Sequence, residues 1–510
     1  MNIAFKFKYI HTNGLFTRLS KRIAALSPIP VHHYKEEDVF IIEASGNQKE
    51  LEELAELVSS LVPQSLFLQE TSVSETGEIN WDTKSEELNT HYEIPYCIEC
   101  QNQVIQSLNP FSPCSVCGFS EKSLTRDNNI SNPQEYFSQL AEKIIEGEEV
   151  ELETYNGIRR FSLLKSQEKE NTSILICNPE NISNYFSITQ GELNALMLVE
   201  KPSVRLKPKV LFHHENTLQK PMYPVFFADD KITLALSAAL SKKGVFALYC
   251  DNPTPLRVTS SLGEYFIIKS ARDMLPWKHP YENTSNKSLC SICLSKEHTS
   301  EISSYSSKVG STSMVEFLDD ALTSPKKMLE EIYSMDEAGE RVIENFQNRF
   351  PKLYADLLDI EPKNSKNSSM MAKLWAMAAY FTGLTKTDNI VVACECLEAA
   401  ALEFQGKSGP RIDYKVTETQ SGYALDPRVA IRSAMSFKLA GVDDYLLSFG
   451  FIDSLADFIA QQAEFADANI SIQGVVLSGS LFENHQLLMR TYNSITPNYT
   501  IYRDKKASLE

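Results

Sequence analysis

Four cysteines between residues 97 and 117 have the spacing of a tetrahedral metal site. Cys97 and Cys100 form one C-x-x-C pair, and Cys114 and Cys117 form a second. Each pair can place two thiolates on one ion while its backbone amides donate hydrogen bonds to the sulfurs, so two neighbouring pairs supply the four soft ligands that zinc prefers. Because sulfur fills all four positions, the sequence predicts a structural zinc site that provides much of the folding energy of this polar segment.

The alternative for these four residues is a set of buried or redox-active thiols, but the doubled spacing favours a metal. A third pair, Cys290 and Cys293, has no second pair beside it. It could be a relic, a redox pair or half of a site completed elsewhere, with His298 as a possible helper, and a non-ligand or partial role is favoured. The remaining cysteines are expected to be buried in apolar segments: Cys177, Cys250, Cys394 and Cys396.

Length and composition limit the kinds of protein that can carry such a site. The 510 residues exceed what a single hydrophobic core of about 250–300 residues can organise, so several domains are expected. The net charge of -18, without a long Lys/Arg run, argues against nucleic acid and anionic membrane as partners. The N-terminus lacks the pattern of a signal peptide and the chain lacks an apolar run of about 18 residues, so a cytoplasmic protein without a membrane span is expected.

Hydrophobic periodicity predicts a small α/β unit at the N-terminus, over residues 1–75. Alternating apolar residues indicate strands, and apolar residues three and four apart indicate helices. A further strand near His32 would complete the order β-α-β-β-α-β. The other predicted elements are strands at Asn2–Tyr9, Val39–Ala44 and Ser65–Gln69 and helices at Leu15–Leu26 and Gln48–Val62.

The rest of the chain alternates between structured and polar stretches. Residues 73–92 are polar and acidic, as expected of a linker, and helix and strand signals mix from about residue 130 to 280. A Ser/Asn/Lys/Glu-rich stretch at 281–307 interrupts this pattern, and from Met314 onward the chain is expected to be mostly helical.

In this order the features resemble HypF, the carbamoyltransferase of NiFe-hydrogenase maturation. That family has an acylphosphatase-like domain, a zinc-finger region, a YrdC-like domain and a Kae-type domain of the actin-like ATPase superfamily. The resemblance implies a multi-domain α/β fold. Its parts would be an acylphosphatase-like α/β sandwich at 1–75, a zinc knuckle at 93–125, a degenerate YrdC-like α/β domain at 130–280 and a truncated C-terminal Kae-type α/β domain at 308–510.

The cysteine segment matches the family best, and the N-terminal domain matches in part. Gly14-Leu15-Phe16-Thr17-Arg18 resembles the acylphosphatase signature G-V-G-F-R, whose loop amides and arginine hold an anion. Arg18 is therefore the candidate catalytic residue, and the alternative is a solvated helix residue. The asparagine that the family uses for catalysis has no counterpart at 31–38, which argues against acyl-phosphate hydrolysis.

The middle of the chain resembles the YrdC-like domain more diffusely. The segment 157–163 resembles an opening strand with a G-G-F-H-L turn, and 269–276 resembles R-R-A-R-G-Y-x-P. By this resemblance Lys269 and Arg272 are candidate nucleotide-binding residues, and scattered surface cations are the alternative. The family segments K-x-R-x-x-K-P and T-S-A-N-x-S-G have no counterpart in the sequence.

The C-terminal region matches more clearly. The segment 475–484 resembles V-V-L-S-G-G-V-F-Q-N, an apolar strand that enters a glycine turn and then a helix, so Gly479, Ser480 and Asn484 are candidate nucleotide-binding residues. The segment 451–456 resembles F-H-N-A-L-A with its histidine replaced. Neither the family's H-H-H-A-H run nor its N-D-G-G segment is present in the sequence, so a metal–ATP site would lack groups that neutralise the phosphates.

The resemblance implies a maturation factor for NiFe hydrogenase that contains structural zinc and, with less support, ATP. In the family a carbamoyl group passes from carbamoyl phosphate through an adenylate to a cysteine thiolate of HypE, as a precursor of cyanide. The expected partner is a HypE-like maturation protein or a hydrogenase large subunit. The absent motifs favour reduced or lost catalysis, and a zinc-containing scaffold that docks maturation partners is the alternative. An unrelated zinc-stapled protein has the least support.

Overall fold

The computed structural model divides the chain into two compact units. The first contains the described residues of Met1–Leu218 and Tyr223–Val258, and the second contains those of Thr259–Lys269 and Pro276–Glu510 together with Gln219–Met222. Both units mix helices with sheets, so the prediction of a multi-domain α/β fold is confirmed. The described residues are 1–11, 14–82, 96–114, 130–169, 172–252, 254–270, 287–318, 321–363, 368–420 and 422–502.

The first unit begins with an antiparallel four-stranded sheet in the order β2-β3-β1-β4. The predicted order β-α-β-β-α-β is confirmed. The second helix begins at a capping box in which Asn47 and Glu50 satisfy each other's backbone amides. The elements are β1 (Asn2–Tyr9), α1 (Leu15–Leu26), β2 (Val31–Glu36), β3 (Val39–Ser45), α2 (Gln48–Leu61) and β4 (Leu68–Glu75).

The returning strand differs from the prediction, because it begins at Leu68 rather than at Ser65. The residues before it bond to a carboxylate far away in the sequence. The Ser65 hydroxyl and the Leu66 amide both donate hydrogen bonds to the side chain of Glu200. Ser65 and Leu66 therefore take part in a contact that local periodicity does not reveal.

The same unit continues with a seven-stranded sheet in the order β5-β6-β11-β7-β10-β9-β8, in which β7 and β10 are parallel and the other described pairs are antiparallel. Its strands are β5 (Val150–Thr154), β6 (Gly157–Leu163), β7 (Ser173–Ile176), β8 (Phe186–Ser187), β9 (Val204–Pro208), β10 (Tyr223–Phe227) and β11 (Ala247–Cys250). Its helices are α3 (Ile98–Ser107), α4 (Pro133–Ile145), α5 (Ile182–Tyr185), α6 (Gln190–Met197), α7 (Val210–Glu215) and α8 (Lys231–Lys242).

Helix α8 organises the part of this unit that contains the cysteines. Asp230 caps its first turn by accepting a hydrogen bond from the Thr233 amide, and the helix is buried from Lys231 to Leu240. Helices α3 and α4 both pack against it. The C-x-x-C segment that includes α3 is thereby fixed to a helix that directly follows a central strand.

The second unit contains a seven-stranded sheet in the order β17-β18-β16-β15-β14-β19-β20, with helices around it. Where the chain passes between the units, β12 (Arg257–Ser261) pairs with β13 (Glu264–Lys269). The strands are β14 (Leu289–Cys293), β15 (Glu301–Ser306), β16 (Gly310–Glu316), β17 (Lys415–Glu418), β18 (Tyr423–Asp426), β19 (Gly474–Ser478) and β20 (Thr500–Tyr502).

The helices of this unit build its core. Helix α12 is buried along its whole length, and Trp375 in its middle is completely inaccessible to solvent. The helices are α9 (Pro325–Tyr333), α10 (Glu337–Arg349), α11 (Pro351–Asp359), α12 (Met370–Thr382), α13 (Ile390–Ala401), α14 (Pro427–Leu439), α15 (Asp444–Ile470) and α16 (His485–Ile495). Among the described helices, none combines the length and apolar character needed to cross a membrane.

The polar stretch at 281–307 was expected to interrupt the pattern of helices and strands. For its described part this expectation is wrong. Strand β14 lies between β15 and β19, so a polar composition conceals a central strand. Cys290 and Cys293 lie three residues apart in β14 and therefore project from opposite faces. That geometry prevents both thiols of the pair from holding one ion, and the non-ligand or partial role stays a prediction.

Candidate functional site

Three of the four predicted ligands form a cluster at the start of α3. The Sγ atom of Cys97 lies 3.8 Å from that of Cys100 and 3.6 Å from that of Cys114. All three ligand atoms lie within 4.8 Å of one another, and all three residues are buried. Zn–S bonds of about 2.3 Å in a tetrahedron place neighbouring sulfurs about 3.8 Å apart, so the cluster fits a metal ion such as zinc. Cys117 lies outside the described residues.

Local sequence explains why these sulfurs converge. Cys97 is the residue that precedes the first turn of α3, and Cys100 lies one turn further on the buried side of the helix. The helix ends at Ser107, and the next residue, Leu108, has a left-handed backbone (φ 52°) that redirects the chain before Cys114. A helix start and a returning loop therefore bring the first pair and Cys114 together.

Polar contacts at both ends fix the cluster against α8. The Tyr96 hydroxyl donates a hydrogen bond of 2.5 Å to the Ala228 carbonyl, and the Lys231 ammonium donates one of 2.9 Å to the Ser112 carbonyl. Burial raises the pKa of Tyr96 well above its usual range, and the nearby Asp229 carboxylate adds to this. Tyr96 therefore stays a neutral donor, and the cluster is built into the unit.

A buried ion pair lies next to these contacts. The two Nη atoms of Arg159 donate to the Asp229 carboxylate at 2.5 and 2.7 Å, and both side chains are almost fully buried. Burial alone would lower the pKa of Arg159, but the Asp229 carboxylate outweighs it and the pKa is raised. Asn156 also donates to Asp229, and the Tyr155 amide donates to Asp230. The Asp229 carboxylate and both Nη atoms of Arg159 are therefore occupied within the chain.

The predicted glycine turn joins β19 to α16, as the sequence indicated. Gly479 has a φ of 100°, and a Cβ atom there would meet the backbone of Leu294. The Leu481 amide donates a hydrogen bond of 2.9 Å to the Leu294 carbonyl. The close approach that requires glycine is thus an approach to the end of β14.

The polar side chains of the turn also bond within the chain. The Ser480 hydroxyl accepts a hydrogen bond of 3.0 Å from the Lys296 amide. The Asn484 side chain accepts from the Leu487 amide, which caps α16, and donates to Glu398 at 3.3 Å. Ser480 and Asn484 therefore join the turn to the loop after β14, to α13 and to α16.

A buried lysine that the sequence analysis missed lies beside this turn. The Lys296 ammonium is 2.9 Å from the Glu398 carboxylate and 3.8 Å from the Glu483 carboxylate, and the three side chains are 12%, 2% and 4% exposed. The available signal was Glu398, a charged residue on the otherwise apolar face of a helix, because such residues are rarely buried without a partner. Its partner, Lys296, carries no comparable signal in the sequence.

The structure describes two of the three other predicted residues, Arg18 and Lys269. Arg18 is half-buried on α1, one turn after Gly14, whose φ is 76°. Lys269, at the end of β13, is about half exposed and lies 3.5 Å from the Glu297 carboxylate. Arg272 lies outside the described residues. The anion role of Arg18 and the nucleotide role of Lys269 stay predictions.

Comparison with known proteins identifies the family. Residues 318–509 match the family model described as carbamoyltransferase, Kae1-like domain, second subdomain. The chain is 30% identical over 394 residues to protein HydE of Wolinella succinogenes, and the match covers 69% of this chain and 70% of HydE. The chain belongs to the HypF-like family of hydrogenase maturation proteins. Its C-terminal region is therefore a Kae1-like domain.

Two solved structures of HypF share the fold of this HypF-like protein at low identity. T. kodakarensis HypF is 12% identical with a TM-score of 0.66, and the match covers 98% of this chain and 96% of that one. A full-length HypF, crystallised in a phosphate- and nucleotide-bound form, is 13% identical with a TM-score of 0.58, covering 100% and 96%. The similarity in fold extends over the whole chain, including the cysteine region.

Proposed function

We propose that this HypF-like protein acts in NiFe-hydrogenase maturation as a relative of the carbamoyltransferase whose catalysis is reduced or lost. That carbamoyltransferase transfers a carbamoyl group toward HypE for synthesis of the cyanide ligand. A HypE-like protein or a hydrogenase large subunit would be its partner, in the cytoplasm. The proposed parts are acylphosphatase-like (1–75), zinc-finger (93–125), degenerate YrdC-like (130–280) and truncated Kae-type (308–510).

The observation that carries this proposal is the bonding of the glycine turn. An anion site at a strand–turn–helix needs amides and side chains that are free to donate to phosphate oxygens. Here the Leu481 amide bonds to Leu294, and Ser480 and Asn484 bond within the chain. Lys296 adds a positive charge near the turn, but Glu398 and Glu483 hold it. These contacts are evidence that any nucleotide binding is weak. The absence of the H-H-H-A-H run from the sequence points the same way.

We also propose that zinc is the metal of the cysteine cluster, with Cys117 as its fourth ligand. Cys97, Cys100 and Cys114 supply three thiolates at tetrahedral spacing, and a fourth thiolate would close the site to substrate. A closed site of this kind stabilises structure and performs no catalysis. The zinc would thus hold a surface segment in a fixed shape.

A second candidate function is a non-catalytic scaffold that docks maturation partners. It is favoured by the contrast between the well-anchored cysteine segment, fixed by Tyr96 and Lys231, and the internally bonded glycine turn. Partner binding would need the fixed shape of the segment but no nucleotide. The two candidates therefore differ in whether ATP is consumed.

Titration calorimetry with ATP and magnesium, followed by ATP–pyrophosphate exchange dependent on carbamoyl phosphate, separates them. Reduced catalysis predicts weak ATP binding with measurable exchange. The scaffold predicts no exchange but co-purification with a HypE-like protein or a hydrogenase subunit. Exchange at the rate of an active HypF measured in parallel would contradict the proposed loss, and the absence of both exchange and partner would contradict both candidates.

A further inference from the structure

A groove of about 330 Å³ lies in the second unit, between the segment 411–415 and the helices α14 and α15. Its apolar surface includes Ile412, Tyr414 and Phe458, all buried. Charged side chains of the segment and of both helices also line it. A volume of this size falls at the lower end of the range for small-molecule sites, about 300–1,000 Å³.

The segment that forms one wall is held firmly to α15. The Gly409 amide donates a hydrogen bond of 3.0 Å to Asp453, and the Ile412 amide donates one of 2.8 Å to the Ser454 hydroxyl. The Tyr414 hydroxyl donates one of 2.9 Å to the Phe451 carbonyl. These bonds recur along an extended segment, so the wall of the groove has a defined shape before any ligand binds.

Buried and charged residues alternate along the segment. Ile412 and Tyr414 are buried, whereas Arg411, Asp413 and Lys415 are exposed, and all five line the groove. Charged groups and apolar side chains therefore lie next to each other in its wall. The groove therefore offers two chemistries to one ligand.

The cations of the groove keep donors available. In the part of the chain that the structure describes, the side chains of Arg411 and Lys415 make no hydrogen bond or ion pair. Arg432 on α14 uses Nη1 for Asp336, at 3.0 and 2.9 Å, which leaves its Nε and Nη2 without a described partner. Guanidinium groups with spare donors are suited to carboxylates and phosphates, which they bind through paired hydrogen bonds.

We propose that this groove binds a small organic anion, a carboxylate or phosphate monoester joined to an apolar body. Arg411, Lys415 and Arg432 would hold the oxyanion, and Ile412, Tyr414 and Phe458 would contact the apolar body. Two acidic residues, Asp413 and Asp457, also line the groove and would accept hydrogen bonds from donors on the ligand. Burial raises the pKa of Asp457 and Asp453 adds to the effect, whereas the nearby Arg411 and Arg490 oppose it.

The groove is separate from the sites discussed above. Its lining includes neither the three described cysteines nor Gly479, Ser480 and Asn484. The proposed function does not use it, so a ligand here would be an addition to that function.

The test uses phenyl phosphate, benzoate and inorganic phosphate in titration calorimetry with the full-length protein. Phenyl phosphate or benzoate is expected to bind more tightly than inorganic phosphate, because only these two offer an apolar ring to the groove. The tighter of the two identifies the oxyanion as phosphate or carboxylate. Arg411→Gln should weaken that binding by roughly tenfold, since it removes a charge-assisted contact. The control is Arg341→Gln, an exposed arginine on α10 outside the groove, which should bind as the wild type does.

A second measurement does not depend on any variant. Phenylglyoxal modifies accessible arginines, and mass spectrometry locates the modified residue. The tighter ligand should slow modification of Arg411 but leave that of Arg341 unchanged. Absence of heat with all three anions at millimolar concentration, equal affinity in the Arg411→Gln variant, or equal protection of both arginines would each overturn the proposal.

Discussion

The cysteine cluster and the glycine turn both gather residues that the sequence marks as ligand-binding, but their polar atoms face different partners. Cys97, Cys100 and Cys114 converge with their sulfur atoms 3.6 and 3.8 Å apart, at the distance that a shared metal ion would set. Ser480 and Asn484 instead bond to Lys296 and Glu398 of their own chain. The same kind of sequence evidence therefore leads to a cluster that fits an external ligand and to a turn bonded within the protein.

The difference teaches that a motif identifies the positions of candidate residues. It does not tell whether their hydrogen-bond donors remain available to a ligand. Buried polar groups must be hydrogen-bonded, so any residue that comes close enough can occupy a donor that a ligand would otherwise use. At the turn those residues come from the loop after β14 and from α13, far away in the sequence. Thiolates clustered without an ion would repel one another, so the chain's own groups are a poor substitute for a metal.

Replacing a ligand of the cluster should have the largest effect. In Cys97→Ser the bound metal should be lost and the free energy of unfolding should fall by about 5 kcal/mol or more, because metal binding and folding of this segment are coupled. Metal analysis and hydrogen exchange at 96–114 measure the two effects. Cys177→Ala, which alters a buried cysteine of the same unit, should keep the metal. Retention of one metal per chain in Cys97→Ser would contradict the assignment.

Breaking the internal ion pair near the cluster should have the next largest effect. Asp229→Ala leaves the buried guanidinium of Arg159 without its carboxylate, and a loss of about 4 kcal/mol in unfolding free energy is expected. Urea denaturation measures it. The control is Glu151→Ala, whose partner Arg160 is about half exposed, and it should leave stability nearly unchanged because solvent screens the pair. A similar change in both variants would mean that burial does not distinguish the two pairs.

The glycine turn provides the third prediction. Gly479→Ala should lower the free energy of unfolding by about 3 kcal/mol, because the added Cβ meets the Leu294 backbone at a positive φ. Gly441→Ala, also at a positive φ but with open space around it, should cost only about 1 kcal/mol. The difference between the variants isolates the close approach from the backbone strain, and equal thermal stability in the two would argue against that approach.

The smallest expected effect is a pH dependence from Glu200, another carboxyl bonded within the chain. Burial raises its pKa to about 7, so between its ordinary pKa of about 4.5 and pH 7 the folded state keeps a proton that the unfolded state releases. Stability from this group is thus complete at low pH and is lost as pH rises through 7.

The matching measurement is the free energy of unfolding at several pH values. Glu200→Gln should remove the decline between pH 4.5 and 7, because glutamine has no proton to release. Glu53→Gln, at an exposed carboxylate of α2, should preserve the decline. A wild-type curve that rises over this range would show that the carboxyl is charged in the folded protein.

Local signals in the sequence predicted the helices and strands of residues 1–75 well. Alternation located β1, and apolar spacing located α1 and α2, because each pattern follows from one buried face. The start of β4 was misplaced because Ser65 bonds to Glu200, which lies in a different part of the sequence. Strands β14 and β15 were missed because their serines conceal the pattern of burial.

The candidate sites show the same division between local and distant information. The C-x-x-C spacing alone predicted the cysteine cluster, since a helix start fixes the first pair. In the structure its three described sulfurs lie within 4.8 Å of one another. The strand and helix around Gly479 were also predicted. The partners of the turn could not be, because Leu294, Lys296 and Glu398 approach it only through sheet pairing and helix packing. The groove beside Arg411 likewise depends on packing between separate elements.

The hydrogen bond from Lys231 to the Ser112 carbonyl joins the cysteine segment to a helix that is synthesised later. A ribosome adds roughly 5–20 residues per second, so Cys114 emerges on the order of ten seconds before the helix that covers it. During that interval the thiols face the surrounding solution, where oxidants and competing metals can reach them. Binding of the correct ion by the nascent chain would end this exposure. Helix α8 would then pack against a metal site that had already formed.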